Sequence, residues 1–260
     1  MNLRFYSCYF LDVTIKKRLF FFYKEENEEL AARKISKQID LPFCGLWRTD
    51  LFKEDKFKNH YGFIYSASRS YVLPIEKKRT NPILCKFPSH TKISRSTNLL
   101  KSMKGVSKGA SILDATGGFG KDAFEIASRY NSIKIVEKVP WVHYLLKEGI
   151  RDLSQESGVF SGLQLELLDS TELLANESFD VIYLDPMFDT KLKKSESKKD
   201  IQLLKECLPD QQDNNLLLVA LESARNRVIV KRHPKLDYLL GKKPNFSITS
   251  KLIRYDIYKT

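Results

Sequence analysis

The chain is poor in the residues that build metal and redox centres. It holds four cysteines and four histidines among 260 residues. Cys8, Cys44, Cys85 and Cys207 form no C-x-x-C pair, and none has a histidine at metal-ligand spacing, so no metal site is expected. Scattered single cysteines fit a reducing compartment, where they serve as small apolar side chains, and a cytoplasmic location is expected. Also lacking is any apolar run near the roughly 18 residues of a membrane helix, so no membrane partner is expected. Leu19 to Tyr23 is apolar but only a strand long. Met1 to Phe10 shows no basic segment leading into a clean apolar run, and Asp12 breaks the apolar character soon after, so a signal peptide is not expected. Internal repeats and low-complexity tracts are absent, and nothing in the sequence sets an oligomeric state.

What the chain does have is positive charge, a formal +12. A surplus of that size speaks about partners rather than fold, and it favours a polyanion such as nucleic acid. The charge is concentrated. Residues 76–108 carry nine lysines and arginines (Lys77, Lys78, Arg79, Lys86, Lys92, Arg95, Lys101, Lys104, Lys108) against one acid, Glu76. That run predicts a basic linker, ending in a short helix near Thr97 to Met103, and favours contact with phosphates over a merely solvated face.

The chain divides by pattern into three stretches. Residues 1–80 predict a small α+β unit: strands at Phe5 to Ile15, Leu19 to Tyr23, Tyr61 to Tyr65 and Tyr71 to Pro74, and a helix from Glu25 to Ile39. Residues 81–108 are the basic linker and entry helix. Residues 109–260 alternate strands and helices. The strands are Ser111–Asp114, Ile133–Glu137, Leu163–Leu168, Phe179–Leu184 and Val228–Lys231. The helices are Lys121–Tyr130, Pro140–Asp152, Lys199–Cys207 and Asn214–Ala224, and the end, Phe246–Thr249 with Leu252–Tyr258, closes as a hairpin. This alternation predicts an α/β fold with a mostly parallel, doubly wound sheet.

Three features in this last stretch carry chemistry. Asp114-Ala115-Thr116-Gly117-Gly118-Phe119-Gly120-Lys121-Asp122 leaves a strand and opens a helix, and its glycines allow a tight turn and close backbone approach to a ligand. Glu137 ends the second strand, 20 residues after Gly117, where an acid accepts hydrogen bonds from ribose hydroxyls. Together they predict a nucleoside cofactor. The turn departs from G-x-G-x-x-G and matches D-x-G-x-G-x-G with Thr116 in place of the first glycine. That leans towards S-adenosylmethionine (SAM), whose sulfonium amino acid suits a neutral turn better than a pyrophosphate does. The third feature is Asp185-Pro186-Met187-Phe188 at the end of the fourth strand. An exocyclic base amine is a poor nucleophile because its lone pair is delocalised into the ring. The Asp185 carboxylate and Pro186 carbonyl can accept its two N–H bonds and aim the lone pair, while Phe188 stacks on an extruded base. Asp185, Pro186 and Phe188 are therefore the candidate catalytic residues. Asp114, Gly118, Gly120 and Glu137 are candidate cofactor contacts. Asp169-Ser170, after the third strand, is read as an adenine contact or an N-cap, or both. Lys191, Lys193, Lys194, Lys198 and Lys199 are read as phosphate contacts or as a solvated loop, and Lys231-Arg232-His233 after the fifth strand as a second basic cluster on the same edge; His233 is assigned no chemistry.

From about Arg95 onward the sequence resembles the RsmJ-type methyltransferases, which modify guanine N2 in bacterial small-subunit (16S) ribosomal RNA. The resemblance rests on Leu113-Asp114-Ala115-Thr116, Gly118 to Phe124, Glu137-Lys138, Leu145-Leu146 with Gly149, Tyr183 to Phe188, Val228 to Arg232 and Tyr255 to Tyr258. It implies a Rossmann-like class I SAM-dependent methyltransferase fold. It also implies SAM contacts at Lys121, Asp122, Glu137, Lys138, Asp169, Ser170 and Asp185, and ribosomal RNA or the small ribosomal subunit as partner. Lys121 and Lys138 stand where the family usually carries arginine, which keeps the charge but loses the bidentate fork. Asp189 replaces a proline, and the family's glycine-rich stretch near Arg95 is missing. The residues by themselves leave other readings open: an amino methyltransferase on DNA or another RNA, a dehydrogenase-like nucleotide module, or a non-catalytic RNA-binding protein.

Overall fold

The structure is a computed structural model that describes residues 18–75, 81–88, 97–130, 132–157, 162–186, 199–208 and 215–260. The strand expected at Phe5 to Ile15 lies outside the described residues. In chain order the elements are β1 (Leu19–Tyr23), α1 (Glu29–Gln38), β2 (Phe43–Leu46), β3 (Tyr61–Tyr65), β4 (Tyr71–Pro74), α2 (Asn98–Ser102), β5 (Ile112–Asp114), α3 (Lys121–Tyr130), β6 (Ile133–Glu137), α4 (Pro140–Ser157), β7 (Leu163–Leu167), α5 (Ser170–Leu174), β8 (Phe179–Leu184), α6 (Lys199–Cys207), α7 (Leu216–Ser223), β9 (Ala224–Arg232), β10 (Phe246–Thr249) and β11 (Arg254–Lys259). They form two compact units: Met1–Leu84 with Thr190–Gln211, and Cys85–Asp189 with Gln212–Thr260.

The first unit holds a four-stranded sheet ordered β2-β1-β3-β4, with β1 parallel to both neighbours and β4 antiparallel. A strand inside a parallel sheet is covered on both faces, which is why β1 reads Leu-Phe-Phe-Phe-Tyr without alternation and is buried throughout. Phe21 stacks on Phe63 at 5.3 Å on one face, and Phe20 and Phe22 meet Phe57 edge-on at 5.2 and 5.4 Å on the other. α6 belongs to this unit: Leu203 and Leu204 are buried, and the Tyr61 hydroxyl donates to Glu206 Oε2 at 2.6 Å. β2 is not expected from sequence. Its Phe-Cys-Gly-Leu has no alternation to read, and Gly45 sits at φ 100° beside a register shift.

The second unit is a seven-stranded sheet ordered β10-β11-β9-β8-β5-β6-β7. The five strands β5 to β9 are mutually parallel, and β11 runs antiparallel to β9 and β10, closing the hairpin. This is the doubly wound α/β order expected of a class I methyltransferase fold. Two elements run past their expected ends. α4 continues to Ser157, and β9 begins at Ala224, directly after α7. The start of β9 is polar, so apolar pattern could not reveal it. Its arginines are anchored instead: Arg225 donates to Asp180 and to Ser111 Oγ, and Arg227 Nη1 donates to the Ser102 and Lys104 carbonyls. Strand order reverses between β5 and β8, and ligands of such sheets bind outside the carboxyl ends at that reversal.

Candidate functional site

The reversal point brings the glycine turn and the Asp185 motif to adjacent strand ends, with Asp114 in register with Tyr183. Asp114 is 2% exposed, so it serves the turn rather than a ligand directly: its Oδ1 accepts from the Thr116 N–H at 3.0 Å and from the Thr116 hydroxyl at 3.3 Å. Burial, together with the negative charges of Asp122 and Asp185, pushes its pKa up to about 7 despite those hydrogen bonds. The glycines do different work. Gly117 is packed, and a Cβ there would stand 2.9 Å from the Val136 carbonyl oxygen. Gly118, at φ 53°, would project a Cβ into near-open space, with only the Thr116 carbonyl at 3.7 Å. Gly120 combines φ 66° with a Cβ that would meet Leu146 at 2.7 Å.

Glu137 closes the turn from the next strand. Its Oε2 accepts from the Gly118 N–H at 2.7 Å and its Oε1 from the Val139 N–H at 2.8 Å, and burial raises its pKa against those bonds. Lys138 is exposed, with its ammonium 3.5 Å from Asp169. Asp169 caps α5, accepting from the Thr171 N–H at 2.9 Å and hydroxyl at 2.7 Å. Burial alone would raise its pKa; the Thr171 bonds and Lys138 instead hold it below the ordinary carboxylate value. Ser170 is buried and its hydroxyl donates to the Ala115 carbonyl, so it fastens β7's exit to the turn. Lys121 is exposed at the start of α3.

Asp185 is held at two points. Its N–H donates to the Thr116 hydroxyl at 2.7 Å, and its Oδ2 accepts from Lys231 Nζ at 2.9 Å. Lys231 also donates to Asp122 Oδ2 at 2.6 Å, and that same oxygen accepts from the buried Tyr183 hydroxyl at 2.6 Å. Asp185 keeps 32% of its side chain exposed, so unlike Asp114 it is open to a ligand. Pro186 is half-buried beside it. Phe188 lies outside the described residues, as do Lys191, Lys193, Lys194 and Lys198; of Lys199 only the backbone is described. His233 Nδ1 accepts from the Lys235 N–H, a turn contact.

Two members of this site escape the sequence pattern. Thr116 reads as a substituted glycine, yet its hydroxyl joins the turn to the Asp185 backbone. Lys231 reads only as part of a basic cluster on this edge, yet it points at two carboxylates. The signal for Lys231 is the register: Leu184 pairs with Val230, so the next residue of each strand is Asp185 and Lys231. Among the described residues no cluster of histidine, cysteine and acidic side chains is arranged to hold a metal ion, and no helix is long and apolar enough to cross a membrane.

Comparison with known proteins places this site in context. Residues 76–260 match the family described as "Putative SAM-dependent methyltransferase". The chain is 35% identical over 199 residues to the ribosomal RNA small subunit methyltransferase J of Alteromonas mediterranea, covering 74% of this chain and 76% of that one. It is 36% identical over 160 residues to the protein of the same name from Hahella chejuensis, covering 60% of each. The matches thus span between three fifths and three quarters of these relatives' lengths. Among solved structures, a SAM-dependent methyltransferase from Neisseria gonorrhoeae superposes with a TM-score of 0.67 at 21% identity, over 92% of this chain and 95% of that one, which shows the fold.

Proposed function

Because the chain belongs to the RsmJ-type family of SAM-dependent methyltransferases, we propose that it transfers a methyl group from SAM to the exocyclic N2 of a guanine in small-subunit (16S) ribosomal RNA. The observation that carries this reading is the meeting of Asp185 and Pro186 with the glycine turn and Glu137 at the reversal point of the sheet.

The residues suit SAM. Open space above Gly118 admits a ligand against the backbone. An ionised carboxylate offers about four lone-pair sites, so Glu137 can hold two backbone N–H groups and still accept from ribose hydroxyls. Asp169 and Ser170 would border the adenine, with Lys121, Asp122 and Lys138 assigned to the cofactor by family resemblance, Asp114 and Gly120 shaping the turn. The Asp185 carboxylate and the Pro186 carbonyl accept the two N–H bonds of the base amine and turn its lone pair out of conjugation. Bound SAM would supply an electrophilic methyl group: as the N–C bond formed, the C–S bonding pair would stay on sulfur and the nitrogen would lose one proton to solvent. Phe188 is assigned to stacking on the extruded guanine, and the lysines of 191–199 to the flanking phosphates. The ribosomal partner and a cytoplasmic location belong to the same reading.

The test supplies tritiated SAM with naked 16S RNA, assembled small subunits, or DNA. Label on RNA, resolved by nucleoside mass spectrometry as N2-methylguanosine, is the expected result. Label on DNA alone, or on an RNA base other than guanine, overturns the proposal.

A further inference from the structure

We infer that Lys231 is a positioning residue for methyl transfer: its ammonium, shared by Asp122 and Asp185, aims the Asp185 carboxylate at the base amine and keeps it an acceptor. The inference rests on the proposed reading of Asp185 and adds a member that the motif does not contain.

The geometry is specific. Asp185 sits at a loop start, where a free side chain would sample several rotamers. The 2.9 Å bond from Lys231 selects one, while the 2.7 Å bond from its own N–H to Thr116 fixes the backbone beneath it. Lys231 is itself fixed from behind by Asp122, which the Tyr183 hydroxyl holds in place. The chain of contacts runs from the first turn of α3 through β9 to the tip of β8. It places one cation between two anions, which leaves the cluster at net −1. That sign favours a sulfonium and an amine that becomes positive as it is methylated.

The surroundings show why the cation matters. Asp122 and Glu125 on α3, Asp114 on β5, Tyr183 on β8 and Tyr255 on β11 all face this cluster. Burial alone would lower the Lys231 pKa; Asp185 and Asp122 reverse that and hold it well above the usual lysine range. Without the ammonium, Asp185 would lose the donor that fixes its rotamer and would face Asp122 as a like charge, which favours the protonated form of the carboxyl. A protonated carboxyl has one oxygen turned donor and no longer orients the amine in the same way.

Lys231→Met should lower kcat at neutral pH by roughly 10²-fold, the scale of a misplaced reacting group. The acid limb of the kcat–pH profile should move to higher pH. Lys231→Arg should bring the limb back. Adding Asp122→Asn to Lys231→Met should bring it part of the way by removing one like charge, and it serves as the second variant if the single change folds poorly. An equal loss at every pH, or an unmoved limb, overturns the inference. Carbon-13 NMR of labelled aspartates, with the Asp185 signal identified by its loss in Asp185→Asn, reads the same coupling without substrate. If that carboxyl titrates unchanged in Lys231→Met, the inference fails whatever the RNA assay gives. If it moves but the parent labels no RNA, the coupling stands and the proposed function is what fails.

Discussion

The two sheets of this protein are built alike and do different work. Each has central parallel strands buried on both faces, with helices between them. In the four-stranded sheet the strand ends carry little chemistry: β1 runs out into Lys24 and Glu25, an ion pair at 3.8 Å with both side chains more than half exposed. In the seven-stranded sheet the ends of β5, β6, β8 and β9 carry Asp114, Glu137, Asp185 and Lys231, linked by buried or half-buried hydrogen bonds. Parallel order provides the edge. Which residues occupy the strand ends decides whether the edge is a site. The interiors contrast as well, the smaller sheet being filled by stacked phenylalanines and the larger by aliphatic side chains such as Leu113, Ile182 and Val230.

The sharpest way to break this contrast is Asp185→Ala. It should abolish methyl transfer, by ~10³-fold or more if the carboxylate orients and stabilises as proposed, while circular dichroism and the melting temperature stay close to the parent's. Residual transfer at the parent rate would return the seven-stranded edge to mere scaffold. In the smaller sheet the large effect should fall on stability instead. Phe21 is fully buried between Phe63 and Phe43, and Phe21→Ala should cost about 4 kcal/mol in urea unfolding.

A third test uses pH. Asp114 has an ordinary pKa of 3.8 and a folded value pushed up to about 7 by burial and by Asp122 and Asp185. Between those values the folded state binds more protons than the unfolded state. Its contribution is therefore full below about pH 4 and is lost as pH rises through 7, on the order of 4 kcal/mol. Asp114→Asn should flatten that slope in denaturation midpoints measured from pH 4 to 8. A slope that survives the substitution would assign it to other groups. The smallest effect belongs to the surface of the smaller unit. Glu29 takes a 2.7 Å bond from Arg33 one helical turn on, with both side chains about half exposed. Solvent screens such pairs, so Glu29→Gln should leave the unfolding midpoint unchanged within error.

How much of this is legible in sequence depends on the range of the interaction. The glycine turn, Glu137 and Asp185 announce themselves through local spacing, because each sits at a strand end fixed by an apolar run. Thr116 and Lys231 do not. Thr116 matters through a contact 69 positions away and Lys231 through contacts 46 and 109 positions away, and these exist only once β5, β8 and β9 are in register. The polar start of β9 escapes for a related reason, since Arg225 and Arg227 are matched by partners on Asp180, Ser111 and the end of α2. Asp169 shows the opposite case: its sequence reads as an N-cap or an adenine contact, and the cap is present.

The placement of α6 bears on how the protein is made. The strands of the smaller sheet leave the ribosome early, but the helix that supplies Glu206 to Tyr61 is translated only after β8. Nascent chains generally fold from the N-terminus forward. Here the contact between the aromatic sheet and α6 can form only once more than a hundred further codons have been translated, with β5 to β8 emerging in between. A stalled or prematurely terminated chain ending before Lys199 would therefore display Phe- and Tyr-rich strands without their closing helix, a species for chaperones to hold and proteases to clear.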